Sequence, residues 1–248
     1  MDARQQAALE AIHQELLTLL SDVRDVLEQN HLPYSMVCGS LLGAVRHQGF
    51  IPWDDDVDLV LPRESYNRFA ELYPHQCSPD FVLDLQDTWV PRVRRRQGSK
   101  NAFIDLFVLD PLPTGRLARF VKLFCLRTLQ GMLKEETDYQ RFSFSKRILL
   151  HATHFLGRFC SKAVLLRAYQ TLSQKGGRSP LLHMSNGAFA LLSMPFVSTA
   201  FADPVLTAFE TLQVRIPQDT DAVLIQLYGA DYMTPPPLEK RIPLHLDI

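Results

Sequence analysis

The chain predicts an α+β protein: a mixed β-sheet with flanking helices and a basic helical insertion. Three observations lead there. Apolar residues recur at three- and four-residue steps over 3–29, the period of an amphipathic helix. Short apolar or alternating runs then follow at 34–38, 56–61, 81–85, 90–94 and 103–109, with the lengths and periods of strands. Helix-period runs return over 117–171, and between Gly115 and Arg178 there are 13 Lys and Arg against three acids. The overall charge of −1 therefore divides into +10 for that stretch and −11 for the rest, which suggests two parts that meet different partners.

In order along the chain, Leu9, Ile12, Leu16, Leu19, Val23 and Val26 give the first helix its apolar stripe, and Asn30 and Pro33 end it. This helix, 1–31, precedes one domain over 32–248 that holds the insertion at about 115–178. Tyr34–Cys38 reads as a buried strand, and Gly39-Ser40 opens a helix over Leu41–His47 that Gly49 closes. Asp56–Leu61 alternates polar and apolar residues, as a half-buried strand does. Pro62 ends it, and Glu64–Tyr73 continues as a helix with Tyr66, Phe69, Ala70 and Tyr73 on one face. Phe81–Leu85, Val90–Arg94 and Phe103–Leu109 complete a sheet of four or five strands in this first part. The insertion reads as two or three helices, broken near Tyr139–Ser145 and at Gly176-Gly177. There Leu117, Phe120, Val121, Phe124, Leu129 and Leu133 are expected to face the core, with Arg116, Arg119, Lys122 and Arg127 outside. Residues 201–248 return to mixed character and end in the proline-dense Thr234–Pro237.

An apolar fraction of 46 % and a charged fraction of 21 % exclude collagen-like, mostly disordered and multi-span membrane chains. Cysteines 38, 77, 125 and 160 include no two within four residues, so no zinc ribbon or redox pair is visible. Met1–Ala11 carries both charge signs and no apolar stretch of the kind a signal peptide has. A reduced, cytoplasmic protein is the expectation. No nucleic-acid-binding module appears, and the basic stretch lacks a pattern of stacking aromatics.

The chemistry concentrates in Cys38–Arg46 and Ile51–Leu59. Asp54, Asp55, Asp56 and Asp58 place four carboxylates in five positions, and their repulsion must be offset. On a strand, Asp56 and Asp58 project from one face about 7 Å apart, which suits two oxygen donors for Mg²⁺ or Mn²⁺. Asp105, set among Phe103, Ile104, Leu106 and Phe107, offers a third carboxylate, since a charge among large apolar residues needs a partner or an ion. Gly39-Ser40, between strand and helix, frees N–H groups and a hydroxyl for phosphate oxygens. Together these parts fit phosphoryl transfer. Taken singly, each has a plainer use: the Asp run as a solvated loop or helix cap, Gly-Ser as a turn, Asp105 as the partner of an arginine such as Arg94.

The residues Gly39–His47 and Gly49–Asp58, then Ile104–Asp110, then Tyr228-Gly229-Ala230-Asp231-Tyr232-Met233, resemble the motifs of the LicD family from about Leu32 onward, least in the helical middle. The resemblance implies a nucleotidyltransferase-like fold related to fukutin and fukutin-related protein. It implies transfer of phosphorylcholine, or a related phospho-alcohol, from a CDP-activated donor, CDP-choline first, to a glycan hydroxyl such as one of lipopolysaccharide or teichoic acid, releasing CMP. It also implies catalytic roles for Asp54, Asp56, Asp58 and Asp105, with Asp56, Asp58 and Asp105 as the Mg²⁺ or Mn²⁺ ligands. Gly39, Ser40, Arg46 and Trp53 would lie near the donor. The family commonly has proline where Val108 stands, and the cysteine cluster of fukutin-related protein is not evident, so no structural zinc is expected.

Arg92, Arg94 and Arg96 share one face of a predicted strand, and a donor phosphate or plain solvent are equally good partners for them. Arg94 is the favoured one for the phosphate. A choline headgroup calls for aromatic faces, for which Trp53, Tyr34, Trp89 and Tyr232 are candidates. The basic helices admit two uses, peripheral contact with the inner face of a membrane beside a lipid-linked glycan or packing on the catalytic domain with a solvated face.

Overall fold

The computed structural model describes residues 3–85, 89–97, 101–134, 151 and 153–243. Helix α1 spans Ala3–Gln29 and buries the expected stripe from Leu9 to Val26. It lies against β4, β5, β9 and α3 and contributes to the same apolar core as the sheet. The Asn30 side chain donates to Val26 O at 2.7 Å, and His31 takes a left-handed φ of 53°, so the helix stops where its sequence indicates.

Next come β1 (Ser35–Met36), α2 (Cys38–His47), β2 (Val57–Pro62), α3 (Arg63–Gln76), β3 (Phe81–Asp84), β4 (Arg92–Arg95) and β5 (Phe103–Pro111). Their order in the sheet is β1-β2-β5-β4-β3. β2 and β5 run parallel, and every other pair in this sheet is antiparallel. The fold class is α+β, as the sequence indicates. Two boundaries shift: α2 begins at Cys38, so Gly39 and Ser40 form its first turn, and Asp56 precedes β2 where it was expected inside it.

β5 is the centre of the molecule, its residues Phe103–Asp110 all buried. Its first half pairs with β4 and its last three residues pair with β6 (Leu181–Met184), which continues to β7 (Phe196–Val197). A separate hairpin, β8 (Val205–Phe209) and β9 (Leu212–Ile216), leans on β1, α1 and α2. Where β5 ends, Asp110 is 0 % exposed and is held by Arg63 through Nε at 3.0 Å and Nη2 at 2.5 Å, and by the Ser185 hydroxyl at 2.5 Å.

The basic insertion contains α4 (Arg116–Leu133) and α5 (Lys162–Ser173), followed by the short α6 (Phe189–Ser193). The break expected near Tyr139–Ser145 lies outside the described residues; α5 ends shortly before Gly176-Gly177, as expected. These helices share a second core of Leu112, Leu123, Leu126, Leu133, Leu165 and Tyr169. α4 is rotated relative to its predicted orientation. Leu133 is buried and Leu129 partly so, but Leu117, Phe120, Val121 and Phe124 are exposed. Lys122, expected outside, is buried. Its ammonium donates to Pro111 O at the end of β5 and to Ser173 O in the last turn of α5, both at 2.6 Å. Two carbonyls, one at the negative end of a helix, supply the partners that make a buried cation tolerable. Burial nevertheless lowers its pKa to about 8.

His183 on β6 is fully buried, with Nδ1 donating to Leu192 O at 2.8 Å and Nε2 without a hydrogen-bond partner. Burial, reinforced by the Lys122 charge, pushes its pKa down to about 4. The unfolded chain takes up this proton near pH 6.5, whereas the folded chain resists until about pH 4. The contribution of the neutral ring is thus fully present above pH 6.5 and is lost as pH falls from there towards 4. His183→Asn, which keeps a donor for Leu192 O but does not titrate, is expected to flatten that part of the melting-temperature profile between pH 7 and pH 4.5.

Candidate active site

The parallel register of β2 and β5 sets Asp58 directly beside Asp105, and the antiparallel register of β5 and β4 sets Asp105 beside Arg92. Paired residues of adjacent strands point to the same face, so these three side chains form a row across the sheet. Arg92 grips Asp105 with Nε at 2.6 Å and Nη2 at 3.3 Å, and its guanidinium lies 4.0 Å over the Phe103 ring. Asp105 therefore has the arginine partner that its apolar surroundings call for, and that partner is Arg92. Arg94, favoured from sequence, reaches back to Asp84 on β3 with two bonds of 2.9 and 2.7 Å. Its guanidinium is committed to a neighbouring strand and is not available for a phosphate as it stands.

The first turn of α2 faces this row. Gly39 N–H donates to the Asp58 carboxylate, and a Cβ at Gly39 would run into Asp54 Oδ2. The absence of a side chain lets the Asp54 carboxylate rest on the helix start, where the helix dipole favours negative charge. Ser40 is buried, and its hydroxyl oxygen accepts the Asp58 N–H at 2.8 Å. The phosphate cradle expected of Gly39-Ser40 is thus taken up by the protein's own acids: Gly39 supports Asp58 and Asp54, and Ser40 fixes the β2 backbone at Asp58.

Asp58 is crowded by the other acids of the cluster. Burial raises its carboxyl well above the usual carboxylate range, and Asp56, Asp105 and Asp54 each push it further, with the Gly39 N–H opposing. Cys38, which opens α2 at a left-handed φ of 52°, feels the same field; burial and then these acids hold its thiol protonated. Tyr228, the last residue of α7 (Thr220–Tyr228), also faces the cluster, its phenol pushed up by burial and by Cys38, Asp58, Asp54 and Asp56.

Trp53 stands beside the acids with Arg46 at 6.0 Å and Arg241 at 5.1 Å from its ring centre. Arg46 also donates to Tyr232 O at 3.2 Å, which ties α2 to the C-terminal segment. Of the four aromatic candidates for a headgroup pocket, Trp53 and Tyr232 are in this region. Tyr34 is buried in the main core, and Trp89 packs against the second core under α4 and α5.

The loop bearing Asp54 is braced from two distant elements. His13 of α1 stacks on Phe50 at 4.1 Å and its Nε2 donates to Asp54 O at 2.7 Å. Glu210, at the tip of the β8–β9 hairpin, accepts the Phe50 N–H at 3.1 Å, and its own N–H donates to Gln48 O at 2.7 Å. Sequence reasoning missed Arg92 as the partner of Asp105, and also Cys38, Arg241, His13 and Glu210, while Tyr228 stood in the C-terminal motif. The arginines of 92–96 were visible as a group, but choosing among them needed the strand register.

The donor set of Asp54, Asp56, Asp58 and Asp105 is all carboxylate oxygen, the chemistry of a hard divalent cation. The crowding at Asp58 is what such an ion would relieve, so these residues fit one. Among the described residues no three His, Cys, Asp or Glu side chains stand as a ready-made metal cage, so an ion there would require the carboxylates to reorient.

Residues 31–158 match the family described as LicD/FKTN/FKRP, nucleotidyltransferase domain. The chain is similar to the lipopolysaccharide cholinephosphotransferase LicD of Haemophilus influenzae, with 24 % identity over 253 residues covering 93 % of both chains. It also shares 41 % identity over 94 residues with an uncharacterised protein of Rickettsia prowazekii, covering 38 % of this chain and 33 % of that one. A 59-residue stretch is 42 % identical to an uncharacterised protein of Rickettsia typhi, covering 24 % of this chain and 19 % of that one.

Proposed function

The chain belongs to the LicD/FKTN/FKRP family, and on that footing we propose that it is a transferase that moves phosphorylcholine from CDP-choline to a hydroxyl of a cell-surface glycan. Lipopolysaccharide is the acceptor class named by its Haemophilus relative; teichoic acid is chemically equivalent for this purpose, and a lipid-linked glycan at the inner face of the cytoplasmic membrane suits either. The observation that carries the reading is the row Asp58–Asp105–Arg92, with Asp54 and Asp56 at its edge, in a chain of this family.

The acceptor oxygen attacks the phosphorus that bears choline, the bond from that phosphorus to the CMP oxygen breaks, and CMP leaves with the electron pair. The hydroxyl proton passes to a carboxylate of the cluster. Asp56, Asp58 and Asp105 would hold Mg²⁺ or Mn²⁺, which when bound neutralises diphosphate charge. Arg92 orients Asp105 through its two hydrogen bonds. Ser40 and Gly39 fix Asp58, and His13 fixes the backbone that presents Asp54. Trp53, with Arg46 and Arg241 near its ring, would offer a flat face for the nucleoside or for choline, with two cations for the phosphates.

The test is product analysis of purified protein with CDP-choline, lipopolysaccharide and Mg²⁺. Release of CMP together with a phosphocholine mass increment on the glycan is expected, and both should stop on chelation. A nucleoside monophosphate on the acceptor with pyrophosphate released, observed with CTP or UTP, would replace this reading by nucleotidyl transfer. Neither product, from folded protein, would leave a binding scaffold.

A further inference from the structure

The rotation of α4 leaves an apolar ridge facing solvent. Leu117 is 76 % exposed, Phe120 66 % and Phe124 53 %, and Val121 stands beside them. At spacings of three, four and seven these residues share one face over two turns. The two phenyl rings stack at 6.1 Å. The opposite face of the helix is already satisfied by Leu123, Leu126 and Leu133 in the second core and by the Lys122 bonds, so the ridge has no place in that core.

A second segment extends the ridge. Gly131 lies seven residues beyond Phe124, on the same face of α4, and Thr153 sits so close that a Cβ at Gly131 would strike it. Gly157 in turn abuts the backbone of Met132. With 153 and 157 turned inwards, Phe155, Leu156 and Phe159 point outwards, Phe159 at 75 % exposure. Among the described residues this part of the chain is basic: 112–134 and 153–180 contain no Asp or Glu, whereas Arg116, Arg127 and Arg158 are exposed.

We infer that this ridge docks the protein on an anionic phospholipid surface. Leu117, Phe120, Val121 and Phe124 enter the boundary between headgroups and acyl chains, and Arg116, Arg127 and Arg158 meet lipid phosphates. An exposed row of Leu, Phe and Val with a basic margin among the described residues is complementary to an anionic bilayer. A second copy is a poorer occupant, since pairing through this face would bring arginines together with no acid among residues 112–134 and 153–180 to receive them. Among the described residues no helix is long and apolar enough to cross a membrane, so the contact is peripheral. The inference deepens the membrane-side acceptor of the proposed function but is read without reference to turnover, so the two can fail separately.

The test is co-sedimentation of the full chain with phosphatidylcholine vesicles, with and without roughly one-third phosphatidylglycerol. Binding to the anionic vesicles at least about tenfold above the neutral ones, weakened by salt, is expected. Phe120→Ser combined with Phe124→Ser should lower that binding about tenfold or more. Its melting temperature, and its CMP release with a water-soluble acceptor, should match the unmodified protein. Arg116→Gln with Arg127→Gln should reduce the preference for anionic lipid. No binding to either vesicle, or equal binding by the phenylalanine variant, would overturn the inference. So would a lipid-free dimer that the phenylalanine variant splits, because a second copy would then cover the ridge.

Discussion

Asp58→Asn is expected to reduce CMP release by about two to three orders of magnitude while the protein melts at a higher temperature than the unmodified chain in the absence of divalent metal. The two effects have one cause. Asp58 is buried against Asp56, Asp105 and Asp54, so its negative charge is unfavourable when nothing offsets it. Asparagine has the same shape and still accepts from Gly39 N–H, so the strand and the helix start keep their contacts. What it removes is the charge that would hold an ion or polarise the acceptor. Mg²⁺ should raise the melting temperature of the unmodified protein and leave that of the variant nearly unmoved. The measurements are the rate of CMP release and thermal melting with and without Mg²⁺. Full turnover by the variant would remove Asp58 from the mechanism.

The largest loss of stability is expected from Arg63→Met. Asp110 has no exposed surface, and Arg63 supplies two of the bonds to its carboxylate; the Ser185 hydroxyl supplies another. Removing the guanidinium strands an ionised acid in the protein interior, a change that costs about 3–5 kcal/mol. For a chain of this size that corresponds to a fall of roughly 10 °C in melting temperature. Removing the acid as well, as Arg63→Met with Asp110→Leu, should recover part of the loss, because the penalty is for the unpaired charge more than for the missing bonds. Denaturation midpoints of both single variants and the double variant check this, and a double variant no better than the sum of the singles would contradict it.

Both experiments concern residues whose importance was unevenly legible. Asp58 and Asp105 stood out in the sequence because charged side chains within apolar strand patterns require an explanation. α1, α3, β2 and β5 were legible for the complementary reason, that their apolar periodicity matches what they bury. The orientation of α4 was not. Its six large apolar residues suggested an inward face, but the partners of Lys122 are carbonyls at residues 111 and 173, and local periodicity carries no information about them. Arg92 and Arg94 were likewise indistinguishable until the antiparallel register put one opposite Asp105 and the other opposite Phe103. The first turn of α2 shows a third kind of gap. Gly39 and Ser40 have the composition of a phosphate loop, yet composition does not say whether the anion they receive comes from a ligand or from the chain's own aspartates.

The bracing of the Asp54 loop has a consequence for how the chain is made. α1 leaves the ribosome before the sheet, but the hairpin tip that holds Phe50 comes 160 residues after Phe50, and the Glu28 carboxylate at the end of α1 waits for Arg215, 187 residues further on. N-terminal segments emerge at about 5–20 residues per second, so the acidic loop spends on the order of ten seconds held from the His13 side alone, with its Glu210 brace unsynthesised. The long loops closed by these contacts make folding slow and leave the sheet's edges open during that interval. A nascent chain cut before β8 is therefore expected to carry every acid of the cluster and still lack the Glu210 brace of the Asp54 loop.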